Sequence, residues 1–196
     1  MTDTIDAILM ASGSSVRFSG GNKLLALFRG KPLVRHTLDL LSTIDCFRRI
    51  FFIAADPALI SLAQNLRTQI DPRLEIIRNE MAFLDQRESI RLGTEHSDAD
   101  YLMFFPCDMP LLDESTVRSL VNARQTGKIC RPEHDKEAGS PVLFSSVFRE
   151  ELLTLGHTER GSTIIRRHPD KLIRVEIASR LPLTDIDTVE ALRSML

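Results

Sequence analysis

Short apolar runs recur along the chain, and between them apolar positions fall at helical spacing. Ala7-Ile8-Leu9-Met10-Ala11, Arg49-Ile50-Phe51-Phe52-Ile53-Ala54, Leu74 to Ile77 and Tyr101-Leu102-Met103-Phe104-Phe105 are too short for helices, and the longest are apolar on both faces. Such runs predict strands of a parallel sheet, covered on both sides by crossover helices. Between them Val34, Thr37, Leu38, Leu41 and Ile44 predict a helix, with Pro32 fitting its start. Leu59, Ile60, Ala63 and Leu66 predict a second over 57–67, and Asp85 or Gln86 opens a third that runs to Glu95. Asp113 caps a fourth, with Val117, Leu120 and Val121 facing inward. The rest reads as a short strand and a charged loop over 128–140, a strand over 141–144, helices over 146–155 and 162–167, a strand over 172–177 and a closing helix over 187–196. The alternation predicts an α/β fold, a doubly wound, mostly parallel sheet with helices on both faces and right-handed crossovers.

Composition narrows the picture. No repeat, low-complexity tract or linker rich in Pro, Gly or Ser divides the chain, so residues 1–196 are expected to form a single domain. With 43% hydrophobic residues it can fill a core without staples. A net charge of -2 argues against a general nucleic-acid binder, which would show a basic face. The apolar runs are too short to span a membrane, and Asp3 and Asp6 with no basic cluster do not make a signal peptide. Cys46, Cys107 and Cys130 have no zinc spacing, and their odd number suits a reducing compartment. A cytoplasmic protein with no nucleic-acid or membrane partner is expected. The five histidines are scattered without metal spacing, and Cys107 reads as a small buried residue at a strand end.

Candidate chemistry gathers where strands end. The first strand breaks into Ser12-Gly13-Ser14-Ser15, with Arg17 and Lys23 either side of Gly20-Gly21. A loop of small residues leaving a strand's carboxyl end can expose several backbone N–H groups, and two flanking cations make it a place for phosphates. A plain surface loop with two unrelated cations reads equally well, and neither a P-loop nor a G-x-G-x-x-G is present. Asp108 follows a fully apolar strand, which puts it at the carboxyl edge of the sheet, where open α/β folds bind ligands. There it can ligate Mg²⁺, or merely turn the chain before Pro110. In Asp185-Ile186-Asp187 the two acids share one side of an extended segment and Ile186 the other, although Asp187 also reads as an ordinary N-cap. Gln86 to Gly93 begins a helix whose polar groups face the same edge, as any solvated helix start would.

These stretches resemble the small nucleotidyltransferases. Leu9 to Phe18 follows their Leu-Ala-Ala-Gly-x-Ser-x-Arg-Met/Phe opening, with Ser12 in place of Ala and Ser19 in place of Gly. Asn22-Lys23-Leu24-Leu25 and Gly30 to His36 are most similar to the molybdenum cofactor cytidylyltransferases. Pro106 to Leu112 resembles that family's Gly/Pro-x-Asp-Met/Gln-Pro segment, and Asp185 to Leu192 its Asp-Ile-Asp-Thr-Pro-Glu-Asp-Leu, with Val189 and Ala191 departing. Ser89, Ile90, Arg91 and Gly93 match a base-contacting segment, and Gly139-Ser140-Pro141-Val142-Leu143-Phe144 the Gly-x-Pro-Val-Leu-Phe beside the second substrate. Gly156 to Ser162 matches only loosely, lacking the usual Asp.

The resemblance implies a Rossmann-like nucleotidyltransferase fold and transfer of a cytidylyl group from CTP to the terminal phosphate of the molybdenum cofactor, with release of pyrophosphate. It implies Arg17, Lys23 and Asp108 as catalytic residues, Mg²⁺ on Asp108 and Asp187, and acceptor contacts at Gly139 and Pro141. Nucleotide contacts would come from Ala11, Ser12, Gly13, Ser14, Ser15, Arg17, Lys23 and Ser89. A molybdenum hydroxylase would be the downstream partner. Two rivals stay open: a nucleotidyltransferase for a sugar or polyol phosphate, and a non-catalytic accessory protein that carries the cofactor. Intact Arg17, Lys23, Asp108 and Asp187 argue against the second.

Overall fold

The structure, a computed structural model, describes residues 3–13, 18, 21–69, 71–81 and 86–195. In chain order, β1 (Ile5–Ala11) leads to a small hairpin of β2 (Leu27–Phe28) and β3 (Lys31–Pro32), then α1 (Leu33–Thr43), β4 (Arg49–Ala54), α2 (Pro57–Gln69) and β5 (Leu74–Arg78). Next come α3 (Gln86–His96), β6 (Tyr101–Pro106), α4 (Glu114–Asn122), β7 (Ile129–His134), β8 (Glu137–Ala138) and β9 (Val142–Ser145). The chain closes with α5 (Arg149–Leu153), α6 (Gly161–Arg167), β10 (Leu172–Glu176) and α7 (Val189–Ser194). No helix among the described residues is long and apolar enough to cross a membrane.

The main sheet has the order β10-β7-β9-β6-β1-β4-β5, with β8 on the side of β7. Strands β6, β1, β4 and β5 are mutually parallel, β9 runs antiparallel to both β6 and β7, and β10 is parallel to β7. The predicted α/β sheet with helices on both faces is therefore the fold observed, and its one reversed long strand is β9. Alternating side chains, buried on both faces, explain why the central strands β1, β4 and β6 are largely apolar. Ala7, Leu9, Phe52 and Phe105 pack with α1, α2 and α4 through Leu38, Leu59, Ala63 and Leu120. Ile8, Phe51, Ile53 and Phe104 pack on the other face with Ile90 of α3, Leu152 of α5 and Ile164 of α6. Each such large side chain removed from water contributes about 1.5–3 kcal/mol before chain entropy is counted. Helix α3 lies directly on the sheet, since a Cβ on Gly93 would come within 2.3 Å of Ile8 Cγ2.

Several expected boundaries move. The hairpin of β2 and β3 was not visible in the apolar pattern, because two-residue strands carry no periodicity; its turn is made by Arg29 and Gly30, both with positive φ. Pro32 lies in β3 as the residue before α1 rather than inside the helix. The charged loop over 128–140 is largely a second hairpin, with Asp135 and Lys136 at φ 49° and 67°, the conformation that a two-residue turn between twisted strands requires. The helix expected over 146–155 is a 3-10 turn, Ser146–Phe148, followed by the five-residue α5. The closing helix starts at Val189, and its cap is Thr188, whose hydroxyl accepts from the Ala191 amide. The expected opening of α3 by Asp85 lies outside the described residues; the helix begins at Gln86.

Candidate active site

Because β1, β4, β5 and β6 are parallel, the segments that follow them emerge along one edge of the sheet. That edge collects Ser12 and Gly13 after β1, Asp56 after β4, Asn79 after β5 and Asp108 after β6. Strand β9 brings a further segment there, since Val142 pairs with Phe104 and so sets Pro141 beside the end of β6.

Lys23 sits in a 3-10 turn, Lys23–Leu25, that Asn22 holds at both ends of its amide. Asn22 Oδ1 accepts from the Leu24 amide at 3.0 Å, while Nδ2 donates to Asp56 Oδ2 at 2.9 Å. The Asn22 hydrogen bond holds the Asp56 carboxyl below its usual range, and the Ala58 and Leu59 amides of α2 act in the same direction. The turn aims Lys23 Nζ at two carboxylates, Asp108 Oδ2 at 2.5 Å and Asp187 Oδ1 at 2.8 Å. Burial of Lys23 works against its charge, but Asp108 and Asp187 outweigh it, and its pKa is raised.

Asp185 completes the group. One carboxylate oxygen from each of Asp108, Asp185 and Asp187 lies within 4.8 Å of the others. Like charges this close repel, so the arrangement calls for a cation between them. Asp108 Oδ1 is buried and has no hydrogen-bond partner among the described residues, although a buried carboxylate oxygen ordinarily has one. Three carboxylates with an unpaired buried oxygen form the oxygen-only donor set that a hard divalent cation takes. The sequence pattern that put Asp185 and Asp187 on one side holds, and Ile186 is fully buried opposite them. Ile186 packs in a small separate core with Phe28, Leu33 and Leu192, and its amide donates to the Asp108 carbonyl at 2.9 Å. The N-cap reading of Asp187 is thus replaced: Thr188 caps the helix, and the Asp187 carboxylate turns to Lys23.

The other singled-out residues are placed unevenly. Ser14, Ser15 and Arg17 lie outside the described residues. Ala11 is buried at the end of β1, Ser12 is half-buried, and Gly13 is exposed. Ser12 Oγ donates to the Ile53 carbonyl at 3.1 Å, which ties the first loop to β4. Ser89 is buried in α3, where its hydroxyl accepts from Asn79 Nδ2 at 3.4 Å. Gly139 packs against Leu183, whose side chain would lie 2.9 Å from a Cβ there, so the segment leading to Asp185 docks on the one before β9. In the loosely matching stretch, Glu159 accepts from the Gly156 amide at 2.7 Å and pairs with Arg167. Cys107 is buried, and burial pushes its thiol well up, so it is no nucleophile. Asp56 and Asn79 escaped the sequence reading, because single polar residues after short strands carry no pattern of their own; Asn22 entered it only as part of a motif, with no role given. A second group that could hold a cation, His134, Asp135 and Glu176, lies at the exposed turn between β7 and β8, where His134 Nδ1 is already bonded to the Ile177 carbonyl.

The profile of the MobA-like NTP transferase domain matches residues 7–172, which takes in the first loop, Asp108 and Pro141. The chain belongs to this nucleotidyltransferase family. Its similarity to the molybdenum cofactor guanylyltransferase of Shewanella piezotolerans is 28% identity over 122 residues, 62% of this chain and 55% of that protein. The chain thus spans little more than half the length of that curated relative. Among solved structures, a nucleotidyl transferase from Methanothermobacter thermautotrophicus superposes with a TM-score of 0.81 at 15% identity, covering 99% of this chain and 96% of that one. The manganese complex of Rv0371c from Mycobacterium tuberculosis has a TM-score of 0.72 at 18% identity, covering 100% and 98%. These structures share the fold of the MobA-like domain, and Asp187 falls beyond the matched residues, in the segment that returns to the site after β10.

Proposed function

We propose that this chain transfers a nucleotidyl group from CTP to the terminal phosphate of the molybdenum cofactor and releases pyrophosphate. The observation that carries the reading is the convergence of Lys23, Asp108 and Asp187 from three separate segments at the carboxyl edge of the sheet. The acceptor phosphate is already a nucleophile, so no activated Ser or Cys is needed. The protein's task is to bring two anions together in line and to stabilise the charge that develops.

Lys23, with Arg17 and the backbone amides of Gly13 to Ser15, binds the triphosphate. Ala11, Ser12 and Ser89 border the base, and Gly139 and Pro141 border the acceptor. Asp108 and Asp187, with Asp185 beside them, would hold Mg²⁺, whose charge would offset that of the departing pyrophosphate. The oxygen-only donor set and the unpaired Asp108 Oδ1 support that assignment. The manganese bound by the related Rv0371c fold is consistent with a divalent cation.

CTP is assigned as donor from the loop at Ala11-Ser12-Gly13. Guanylyltransferases that use this cofactor typically carry paired glycines there, which let the backbone approach a purine. Ser12 has nearly the volume of the alanine found in the cytidylyl enzymes. A second reading, GTP as donor, is favoured by the guanylyltransferase name of the Shewanella relative. A steric difference of this size discriminates by about 1–3 kcal/mol, so minor use of the other nucleotide is expected in either case. Initial rates of pyrophosphate release with CTP, GTP and ATP at matched concentration, with Mg²⁺ and purified cofactor, test the assignment. CTP is expected to be fastest. A preference for GTP would move the chain to the guanylyl group, and no release with any nucleotide would sink the transferase reading.

A further inference from the structure

Lys23 holds the position between the carboxylates that a divalent cation would need. Its Nζ is bonded to Asp108 Oδ2 at 2.5 Å and to Asp187 Oδ1 at 2.8 Å, and its side chain is only 14% exposed. An ammonium held between those two oxygens repels a divalent cation from them. The contact is also specific. The Asn22 cap and the Asn22–Asp56 bond fix the turn that carries Lys23, and the Ile186 amide fixes the backbone of Asp108. A lysine stem is flexible beyond that anchored backbone, and its ammonium is a point charge that can exchange one anionic partner for another.

We propose that Lys23 serves as a counter-cation of the acid cluster when no nucleotide is bound, and that it gives way to the divalent cation when a triphosphate draws its ammonium away. The proposal rests on the reading of Asp108 and Asp187 as the metal site. The cluster needs positive charge, because one carboxylate oxygen from each acid lies within 4.8 Å of the others, and Lys23 contributes it. A triphosphate offers the ammonium a richer set of anionic oxygens. Once Lys23 turns to it, the ammonium charge leaves Asp108 and Asp187, and their affinity for a divalent cation rises. Metal and nucleotide therefore bind with positive coupling, each raising the affinity of the other by the same factor. The arrangement keeps metal from settling in the site without substrate, and it gives Lys23 two successive partners.

The test is Mn²⁺ binding to the nucleotide-free protein, followed by the electron paramagnetic resonance signal of unbound Mn²⁺. It compares wild type, Lys23→Met and Lys23→Gln, each checked for a native melting transition. Met keeps the length of the stem without charge; Gln is the fallback should Lys23→Met not fold. Mn²⁺ affinity is expected to rise by about 5–150-fold in the lysine variants, the ordinary range for coupled sites. Adding Asp108→Asn to Lys23→Met should remove the gain. Lysine variants that bind Mn²⁺ no more tightly than wild type overturn the proposal. If wild type still acquires Mn²⁺ with a non-hydrolysable CTP analogue and loses it in Asp108→Asn, the metal reading survives that result. If Asp108→Asn binds Mn²⁺ as wild type does with the analogue present, the metal reading itself fails and takes the proposal with it.

Discussion

Asp108 is tied to the rest of the candidate site by both its side chain and its backbone. One carboxylate oxygen takes the Lys23 ammonium, the other is buried without a hydrogen-bond partner among the described residues, and its carbonyl accepts from Ile186. Asp108→Asn keeps the shape and removes the charge, and it should lower turnover by about 10²–10³-fold, the usual cost of losing one electrostatic element at a reacting centre. The melting temperature should change little, since the repulsion removed from the three acids offsets the lost Lys23–Asp108 ion pair. Steady-state rates with saturating Mg²⁺ check this, and near-normal turnover would remove Asp108 from the machinery. At this scale the sequence spoke clearly wherever a residue followed a long apolar strand. It was silent on the roles of Asp56 and Asn22, which come from a hydrogen bond spanning 34 positions.

Among the elements, the segment that carries Asp185 and Asp187 is held by Ile186 rather than by regular structure. Ile186 is fully buried with Phe28, Leu33 and Leu192, so the first hairpin, α1 and α7 meet beneath the acids. Ile186→Ala removes that anchor and should cost about 2–5 kcal/mol if the cavity does not collapse. The loss should fall unevenly. Denaturant unfolding monitors the global cost, and Mn²⁺ binding in the presence of nucleotide should weaken because Asp187 is no longer pinned. A variant equally destabilised but unchanged in Mn²⁺ binding would show that the small core supports the fold alone. The strands and most helices of the main sheet were legible because periods of 2.0 and 3.6 residues are local signals. The hairpin of β2 and β3 was not, since two-residue strands are made by their turn and by what they pack on.

Across the whole molecule, the candidate site lies at the carboxyl edge, and the layers beneath it are two buried hydrophobic clusters. Cys107 and Cys130 are buried in those layers, whereas Cys46 is half-exposed. Burial pushes the Cys130 thiol up to about 11, so its thiolate forms only as the pH approaches that value. At pH 8 about one molecule in a thousand carries it, before access is considered. A thiol reagent at pH 8 should therefore label Cys46 first. Cys107 and Cys130 should react only at the rate of global opening, and rapidly in denaturant. Mass spectrometry of labelled peptides over time checks this; equal labelling of all three in native buffer would mean that the sheet opens locally.

The sequence by itself determined the α/β class, the strands of the sheet and the edge at which chemistry collects, because each depends on neighbours a few positions apart. It also named Lys23, Asp108 and Asp187, through motifs that sit where strands end. Only the tertiary structure decided how they combine. Lys23 meets Asp108 across 85 positions and Asp187 across 164, distances at which no local pattern constrains the chain. It decided as well that Thr188 rather than Asp187 caps the last helix, and that Asp185 joins the acids. Those outcomes follow from where Ile186 is buried and where the half-buried Leu183 packs on Gly139, and contact with residues far along the chain is settled by packing, not by spacing.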